Sequence, residues 1–291
     1  TFTFDPSGLA SGLYILHLSV TDSGNASGEA ELKLNVVPAA PTLNADNDSD
    51  GDDINDLTEG YGDSDNDGIP DYLDALDTSN ILQEEGAQSD SFLIETEPGL
   101  NIILNQYALQ VNSGQARVVM SDIANFGGVI DNANRYAYPG GLFDFIVTGL
   151  PVAGQSVNVV VPQQVQVPSY AVYRKLVGGI WQDFVEDDNN AIASTMGAEG
   201  FCPSPGDASY TPGLTEGHWC VQLTIEDGGA NDNDNRANKT IVDPGGVAQL
   251  LAVNVDVEVS GGGGTLHPLW LLLALFGVPG LVARAKGRAV A

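Results

Sequence analysis

The chain has little positive charge. Ten Lys and Arg stand against 39 Asp and Glu in 291 residues, so the net charge is −29. A surface this acidic repels the phosphates of DNA and RNA, and the balance therefore argues strongly against nucleic acid as a partner. The imbalance is greater still before residue 284, where seven basic residues accompany all 39 acidic ones and the net charge is −32. Cations are the ligands that such a composition favours.

Histidine is also scarce, and the common catalytic motifs are missing. The three histidines are His17, His218 and His267. No Gly-x-Ser-x-Gly turn, His-Glu-x-x-His pair, phosphate-binding loop or Cys/His metal cluster occurs in the sequence, and these patterns mark many hydrolases and nucleotide-binding enzymes. A glycosidase needs only a pair of carboxylates, but here the carboxylates are concentrated in regularly spaced loops. The sequence predicts that the chain is not an enzyme.

Long uncharged apolar runs are absent until the C-terminal end, where one occurs. Residues 266–283 contain no Asp, Glu, Lys or Arg, and as a helix they would span about 27 Å, which is just enough to cross a bilayer core. Three basic residues follow, and basic residues stay on the cytoplasmic side. We therefore expect a transmembrane helix over 265–283, a basic cytoplasmic tail over 284–291, and an exported chain before them. A buried core helix is the alternative interpretation.

A short glycine-rich region, 260–264, precedes the apolar run and contains Gly261, Gly262, Gly263 and Gly264. Glycine has weak helix propensity, so this region can unwind and expose its peptide bonds. A glycine stretch, one hydrophobic helix and a basic end together resemble the GlyGly-CTERM sorting signal of Gram-negative bacteria. The resemblance implies cleavage near the glycines by a rhombosortase-like intramembrane protease, followed by surface anchoring or release. It leaves open which bond is cut.

The N-terminal end carries no sign of an export signal. The chain begins at Thr1 and has neither a basic n-region nor an apolar h-region there, although a C-terminal sorting signal requires export. We therefore expect the chain to be the C-terminal piece of a longer precursor that is located in the cell envelope or at the cell surface. The upstream domains, the final anchor and the oligomeric state do not follow from the sequence.

Cysteine occurs only twice, as Cys202 and Cys220. In an exported protein these two residues are expected to form a disulfide. Such a bond would stabilise the fold by about 3 kcal/mol in the loop-entropy model. Two cysteines make a poor zinc site, even with His218 close to them in sequence.

Residues 46–74 hold twelve acidic side chains and no basic one. Positions 1, 3, 5, 9 and 12 of a loop are acidic, and the same set recurs fifteen residues later. The first loop has Asp48, Asp50, Asp52, Asp56 and Glu59, and the second has Asp63, Asp65, Asp67, Asp71 and Asp74. Calcium takes about six to eight hard oxygens, and alternate carboxylates on a curled loop can converge on one ion. Position 7 usually contributes a backbone carbonyl, here from Ile54 and Ile69, whose side chains are expected to fill a small core.

The sixth position distinguishes the two loops. A glycine there permits a sharp turn, and the second loop has Gly68, whereas the first has Asp53, with Gly51 two residues earlier. Aspartate tolerates left-handed backbone better than most residues, so this difference weakens the first site without excluding it. A register that starts at Asp46 puts Gly51 at position 6 but Leu57 at position 12. We favour the register that starts at Asp48.

The paired loops resemble thrombospondin type 3 repeats, in which aspartate-rich loops wrap calcium ions with little hydrophobic core. An acidic disordered linker is the alternative interpretation, because the segment has few apolar residues. Both interpretations can be correct, since such a segment can be disordered without metal and rigid when metal is bound. We therefore predict a calcium-rigidified spacer over residues 39–87.

β-Strands are predicted on both sides of the spacer. Residues 14–20 and 30–36 alternate apolar and polar side chains around a short turn. A segment of about 37 residues is too short for an independent sandwich, and 1–38 looks like the C-terminal part of an immunoglobulin-like or cadherin-like domain. Residues 88–259 contain short apolar runs, such as 101–111, separated by Gly and Pro turns. This pattern is typical of an antiparallel β-sandwich.

The stretch 200–248 combines the two cysteines with an Asp-Gly-Gly turn at 227–229 and an Asp-Pro-Gly-Gly run at 243–246. This set resembles the choice-of-anchor U domain, although Ala230 stands where that family usually has proline. The resemblance implies association with anchored envelope proteins and carries over no catalytic activity. A further set of side chains forms either another cation site or, as we expect, a solvated turn: Asp227, Asn231, Asp232 and Asp234.

The sequence thus predicts a mainly β, non-catalytic, calcium-stabilised envelope protein that is surface-anchored or secreted and acts as a stalk or adhesion module toward surface or extracellular ligands. The alternative is the C-terminal accessory and anchoring region of a larger secreted hydrolase, which a hydrolase motif upstream of Thr1 would indicate. A third interpretation is a glycan-binding sandwich that uses exposed aromatic residues, although we expect Trp181 to lie in the core. The adhesive target and the calcium affinity do not follow from the sequence.

Overall fold

The computed structural model describes residues 5, 8–86, 90–132 and 135–251. Within these ranges the chain is mainly β, and the pairs of named strands are antiparallel. The predicted fold class is therefore confirmed at this level. The alternating runs explain the outcome, because alternation suits a sheet with one buried face.

Two long strands form a separate hairpin near the N-terminus. β1 (Gly12–Thr21) pairs with β2 (Ser27–Val36) along its whole length. Asp22 fixes the turn, because its Oδ1 accepts hydrogen bonds from the backbone amides of Gly24 at 2.8 Å and Ala26 at 2.9 Å. This is the local hydrogen bonding by which aspartate favours turns.

The two acidic loops follow the hairpin, and each ends in a short helical turn. α1 (Asp56–Glu59) ends the first loop, and a 3-10 turn (Asp71–Leu73) ends the second. Asn55 caps α1, because its Oδ1 accepts a hydrogen bond from the Thr58 amide at 3.0 Å. Both helical turns therefore begin at position 9 of their loops.

One sheet of the following domain contains six strands: β3 (Ile81–Gln83), β4 (Leu93–Thr96), β9 (Ser156–Pro162), β12 (Ala191–Thr195), β13 (Thr211–Pro212) and β14 (Cys220–Glu226). Their spatial order is β13-β12-β14-β9-β4-β3. The sequence predicts that this domain starts at residue 88, but β3, which lies before that residue, pairs with β4. The sheet therefore begins earlier than predicted.

The second sheet contains seven strands: β5 (Asn101–Leu104), β6 (Arg117–Val118), β7 (Tyr136–Ala137), β8 (Leu142–Thr148), β10 (Ala171–Val177), β11 (Ile180–Asp183) and β15 (Ile241–Leu250). The main path runs β11-β10-β15-β8-β5, while β6 pairs with β8 and β7 with β15. The central strands β8 and β15 are nearly continuous buried runs.

Both sheets contribute to one hydrophobic core. Phe143 and Phe145 of β8 and Tyr173 of β10 belong to the same buried cluster as Val159 of β9 and Leu223 of β14. Burying a large apolar side chain stabilises a fold by about 1.5–3 kcal/mol. The core between the sheets is therefore the main source of stability in the described chain.

Two short helices, α2 (Gln106–Val111) and α3 (Met120–Asn125), interrupt the strands. The first corrects the expectation that 101–111 is one strand-forming run, because only its first part is extended. The Asp144 carboxylate lies at the start of α2, where its Oδ2 accepts hydrogen bonds from the amides of Tyr107 at 2.6 Å and Ala108 at 3.1 Å. These amides have no partner within the helix, so the carboxylate stabilises the helical form.

The hairpin contacts the domain at α2. Asn35 of β2 donates a hydrogen bond from Nδ2 to the carbonyl oxygen of Leu109 at 2.6 Å. The contact joins residues on opposite sides of the acidic loops in sequence. Those loops therefore connect two parts of the chain that also contact each other directly.

The predicted disulfide is confirmed. Cys202 and Cys220 are bonded, with their Cα atoms 5.5 Å apart. Cys220 is buried at the start of β14, in the middle of its sheet. The bond therefore fastens the loop that follows β12 to an interior strand.

Candidate metal centre

The structure brings alternate aspartates together in both acidic loops. One carboxylate oxygen from each residue of a trio lies within 4.8 Å of the others, and the two trios are Asp48, Asp50 and Asp52, and Asp63, Asp65 and Asp67. These are positions 1, 3 and 5 of the predicted loops. Each trio has the donor set and the spacing to hold one metal ion.

The aspartate at position 1 accepts a hydrogen bond from the amide at position 6 in each loop, and a second bond from position 4 in the first loop and from position 5 in the second. The Asp48 carboxylate accepts hydrogen bonds from the amides of Gly51 at 2.7 Å and Asp53 at 3.1 Å. In the second loop, the Asp63 carboxylate accepts from the amides of Asp67 at 3.1 Å and Gly68 at 3.2 Å. The first aspartate therefore curls the backbone around its own side chain in both loops.

The ninth position closes each loop. Asp56 accepts hydrogen bonds from the amide and the hydroxyl of Ser49, at 2.8 Å and 3.0 Å. Asp71 accepts the same pair from Ser64, at 2.7 Å and 3.0 Å. Since both oxygens of each carboxylate accept a hydrogen bond, Asp56 and Asp71 hold the loop shape.

The backbone favours the register that starts at Asp48. At position 6, Asp53 has φ 74° and Gly68 has φ 96°, so both occupy the left-handed region. At position 4, Gly51 has φ 82° and its counterpart Asn66 has φ 64°. Gly51 is thus equivalent to Asn66 and not to Gly68. The register that starts at Asp46 does not match this geometry.

Three carboxylate oxygens in the loops are buried without a hydrogen-bond partner among the described residues: Asp50 Oδ2, Glu59 Oε2 and Asp65 Oδ2. A buried acceptor without a partner costs about 1–3 kcal/mol or more when charged. Residues 46–80 contain no Lys or Arg that could compensate these charges. These oxygens have the chemistry of cation ligands.

Crowding and burial raise the pKa values of these carboxyl groups. Burial, followed by repulsion from Asp74, raises the pKa of Asp67 to about 9. Burial also raises the pKa values of Glu59 and Asp74 to about 7, with further repulsion from Asp50 and Asp52 on Glu59 and from Asp65 on Asp74. The pKa of Asp50 rises to about 6 for the same leading reason. The ionised loops therefore need a positive charge from outside the chain.

An acidic cavity of about 220 Å³ lies between the two loops, and its lining includes Asp52, Glu59, Asp71, Asp74 and Asp77. Asp77 lies outside the repeated spacing that predicts the metal ligands. Burial, and then repulsion from Asp71, Asp52 and Asp63, raises its pKa. A sequence signal was present, because Asp77 follows Asp74 by three residues in a D-x-x-D spacing.

The two isoleucines at position 7 differ, which corrects the expectation that both fill a core. Ile69 is fully buried and belongs to the hydrophobic core of the β domain. Ile54 has 46% of its surface exposed and borders the acidic cavity. The second loop packs on the domain, where the Asp67 carbonyl accepts a hydrogen bond from the Leu104 amide at 2.7 Å. The isoleucine of the first loop does not pack into this core.

The turn near residue 230 is neither a solvated turn nor an open cation site. Asp227 is buried and accepts hydrogen bonds from the amides of Gly154, Asn238 and Lys239 at 2.8–3.0 Å. Asp232 and Asn231 are also buried and hydrogen-bonded. The Asp232 carboxylate accepts hydrogen bonds from the amides of Gly228 and Val242, and the Asn231 side chain hydrogen-bonds to the backbone of Val185. Their carboxylate and amide groups pin loops together.

Trp181 is a core residue and not an exposed platform. Only 9% of its surface is exposed, and its indole donates a hydrogen bond to the Val129 carbonyl at 2.6 Å. Its ring also lies 5.9 Å from that of Tyr138. This position corrects the glycan-binding interpretation as far as it depends on Trp181.

Comparison with protein-family models, curated proteins and solved structures found no match to this chain. Gly261, Gly262, Gly263 and Gly264, the predicted helix 265–283 and the tail 284–291 lie outside the described residues. Among the described residues, no helix has the length and apolar character needed to cross a membrane.

Proposed function

We propose that the chain is a non-catalytic, calcium-stabilised stalk or adhesion module of an envelope protein. The observation that carries the proposal is the repeated carboxylate geometry, in which two loops fifteen residues apart share their hydrogen-bond scheme and each gathers three aspartates. Buried carboxylate oxygens without partners accompany that geometry. A segment built in this way requires cations to be stable when it is ionised.

Calcium fits the donor set better than the other common metals. The gathered side chains in residues 46–77 offer carboxylate oxygens and no His or Cys, which disfavours zinc and copper. Magnesium demands a rigid octahedron and keeps several waters, whereas calcium accepts many oxygens in a flexible cage. In this proposal, Asp48, Asp50, Asp52 and Glu59 hold one ion, and the second loop holds another through Asp63, Asp65, Asp67 and Asp74.

Bound calcium would rigidify the connection between the hairpin and the β domain. The second loop already rests on the core through Ile69, while the hairpin reaches the same domain through Asn35. Neutralising the carboxylates removes the repulsion that opposes a compact loop pair. The spacer would then hold the N-terminal part of the chain at a fixed geometry, as a stalk requires.

The sorting part of the proposal rests on the sequence. A β-sandwich of the choice-of-anchor U type over 88–259 would lie next to the membrane, followed by a cleavage region at 260–264 and the transmembrane helix at 265–283. A rhombosortase-like protease would cut near the glycines, so that the domains become anchored at the surface or released. The acidic composition before residue 284 is compatible with exposure to extracellular calcium.

Calcium titration with limited proteolysis tests the proposal. We expect millimolar calcium to bind with measurable heat and to protect residues 40–80 from protease, and a chelator to reverse both effects. Asp50→Asn combined with Asp65→Asn removes one inward-facing carboxylate from each loop and should abolish most of the protection. Asp188→Asn combined with Glu216→Gln, which changes two exposed carboxylates elsewhere, is the charge-matched control. Equal protease sensitivity with calcium and with chelator would rule out the calcium spacer.

A further inference from the structure

Lys175 and Asp243 form a buried ion pair between two neighbouring strands of the seven-stranded sheet. Both side chains are 0% exposed, and Lys175 Nζ contacts Asp243 Oδ1. Lys175 lies on β10 opposite Gly245 of β15, and Asp243 lies two residues before that glycine on the same strand. Adjacent antiparallel strands thus present the amine and the carboxyl group diagonally on one face.

Aromatic rings pack on the face of the sheet that carries the pair. Gly245 also pairs with Phe143, and Asp243 pairs with Phe145, so both rings share the face that carries Lys175 and Asp243. The glycine leaves the space that the pair occupies: a methyl group at Gly245 would lie 3.0 Å from Asp243 Oδ1 and 2.9 Å from Tyr173 Cε1. The pair is therefore held in contact by packing from several sides.

The three polar atoms of the pair have no other support. Lys175 Nζ, Asp243 Oδ1 and Asp243 Oδ2 have no hydrogen-bond partner among the described residues apart from their mutual contact. A fully buried ammonium and carboxylate normally require additional hydrogen bonds to offset the loss of water. The neutral forms of both groups are less costly to bury in this place.

Burial shifts the two pKa values toward each other. Burial lowers the pKa of Lys175, against the opposing attraction of Asp243 and, more weakly, of Asp232 and Asp144. Burial raises the pKa of Asp243, against the opposing attraction of Lys175. A neutral amine is a nucleophile, and a protonated carboxyl group is the form that an amine can attack.

We propose that Lys175 and Asp243 condense into an intramolecular amide that covalently links β10 to β15. The Nζ lone pair attacks Cγ of the protonated Asp243 carboxyl group and forms the C–N bond. The C–OH bond then breaks, and the hydroxyl leaves as water with a proton from the amine. One amine and one carboxylic acid give one amide and one water, so no oxidant or co-reactant is needed.

Packing holds the amine and the carboxyl group in contact, which favours this step. Holding two reacting groups in contact in an enclosed site can be equivalent to an effective concentration of about 10⁵ M or more. The Tyr173 hydroxyl is buried without a hydrogen-bond partner among the described residues, and its pKa is raised by burial and by the charges of Asp243 and Glu84. This hydroxyl is a further buried polar group on β10, two residues before Lys175 and on the same face of the strand.

Two other ion pairs in the protein lack the features that would allow amide formation. Lys33 and Glu31 lie 2.8 Å apart on the hairpin, but 41% of the Glu31 side chain is exposed, so water reaches this pair. Arg174 and Asp131 are buried and lie 2.9 Å apart, but a guanidinium stays protonated and is a poor nucleophile. Among these pairs, Lys175 and Asp243 alone combine a lysine with burial.

The amide would fasten the strand nearest to the C-terminal end of the described chain. β15 ends at Leu250, and β10 is its neighbour on the side opposite β8. A covalent link across β10 and β15 prevents their separation when the chain is pulled from its C-terminal side. This consequence adds to the disulfide, which fastens the other sheet.

Mass spectrometry of the natively folded full chain tests the proposal directly. After reduction of the disulfide, we expect a mass lower than that of the sequence by one water molecule. A tryptic digest should contain one branched peptide that joins the segments around Lys175 and Asp243, with no cleavage after Lys175. Lys33 should be cleaved normally and serves as the internal control.

Two variants separate this link from other losses of water. Lys175→Met and Asp243→Ala should each restore the full mass, whereas succinimide formation at an Asp-Gly sequence, such as Asp227-Gly228, would leave the deficit unchanged. A full mass for the unmodified chain, or a deficit that survives Lys175→Met, would overturn the proposal. Because the peptide map uses the unmodified protein, a variant that fails to fold does not affect the result.

Discussion

Asp53 and Gly68 occupy the same left-handed backbone position in two loops that repeat fifteen residues apart, with φ of 74° and 96°. Glycine adopts this conformation freely, whereas a residue with a Cβ pays about 1–2 kcal/mol for it, and aspartate somewhat less. The hydrogen bonds at positions 1 and 9 are nevertheless alike in both loops. The first loop therefore holds its shape against a strain that the second does not carry.

Replacing Asp53 with glycine should strengthen metal binding by the first loop. Relief of about 1 kcal/mol of backbone strain corresponds to about a five-fold lower Kd, measured by calorimetric calcium titration. Asp53→Ala removes the same charge but keeps a Cβ, so it should bind more weakly than the glycine variant. Equal affinities for these two variants would show that backbone strain does not limit the first loop.

The two isoleucines at position 7 should respond differently to the same truncation. Ile69→Ala removes a fully buried side chain from the domain core and should lower the free energy of unfolding by about 2–5 kcal/mol. Ile54→Ala changes a half-exposed side chain and should cost less than about 0.5 kcal/mol. Urea denaturation of both variants measures the difference. Similar losses would contradict the unequal packing of the loops.

The metal-free protein should lose stability as the pH rises. The carboxyl pKa of Asp67 is raised to about 9 and those of Glu59 and Asp74 to about 7, against an ordinary value of about 4. A raised pKa in the folded state means that these groups favour folding while protonated. Their contribution is fully present below a pH of about 4 and is lost progressively as the pH rises through the folded values.

Thermal unfolding with a chelator and with calcium, followed from acidic to mildly alkaline pH, measures this effect. With chelator, we expect Tm to fall across that window, and with calcium the fall should disappear because the ion compensates the ionised carboxylates. Asp67→Asn combined with Asp74→Asn should flatten the curve in chelator. A Tm that rises across the same window without metal would contradict the pKa directions.

The sequence was sufficient to predict the features that depend on local spacing. Alternation predicted strands β1 and β2, the two cysteines predicted the disulfide, and the carboxylate spacing predicted that Asp48, Asp50 and Asp52 meet. Each of these depends on a regular repeat or on a single pair of residues. Long-range partners do not enter such predictions.

Features that depend on distant partners were missed. Ile54 and Ile69 have the same place in the repeat, and only the domain beside the second loop makes them differ. Asp227 and Asp232 look like solvated turn residues in sequence, but the amides that bury them come from other loops. Asp77 lies outside the repeat and joins the acidic cavity through folding. A sequence pattern contains no information about which neighbour covers a residue.

Helix α2 is the clearest such case and gives a further prediction. Asp144 is buried, and its oxygens accept hydrogen bonds from Asn105 Nδ2 at 2.7 Å and from the amides of Tyr107 and Ala108. Asp144→Ala removes these acceptors and leaves buried donors without partners, which should cost about 2–4 kcal/mol in unfolding free energy. Asp188→Ala truncates an exposed aspartate and should cost less than about 0.5 kcal/mol.

The same substitution has a second readout that separates helix capping from general loss of stability. Asn35 of the hairpin hydrogen-bonds to Leu109 within α2, so loss of the helix should free the hairpin from the domain. Hydrogen exchange should then rise in α2 and at the Asn35 end of β2, while the strands of the six-stranded sheet stay protected. Uniform loss of protection in both sheets would instead show that Asp144 supports the whole core, and unchanged protection in α2 would show that the helix does not depend on this carboxylate.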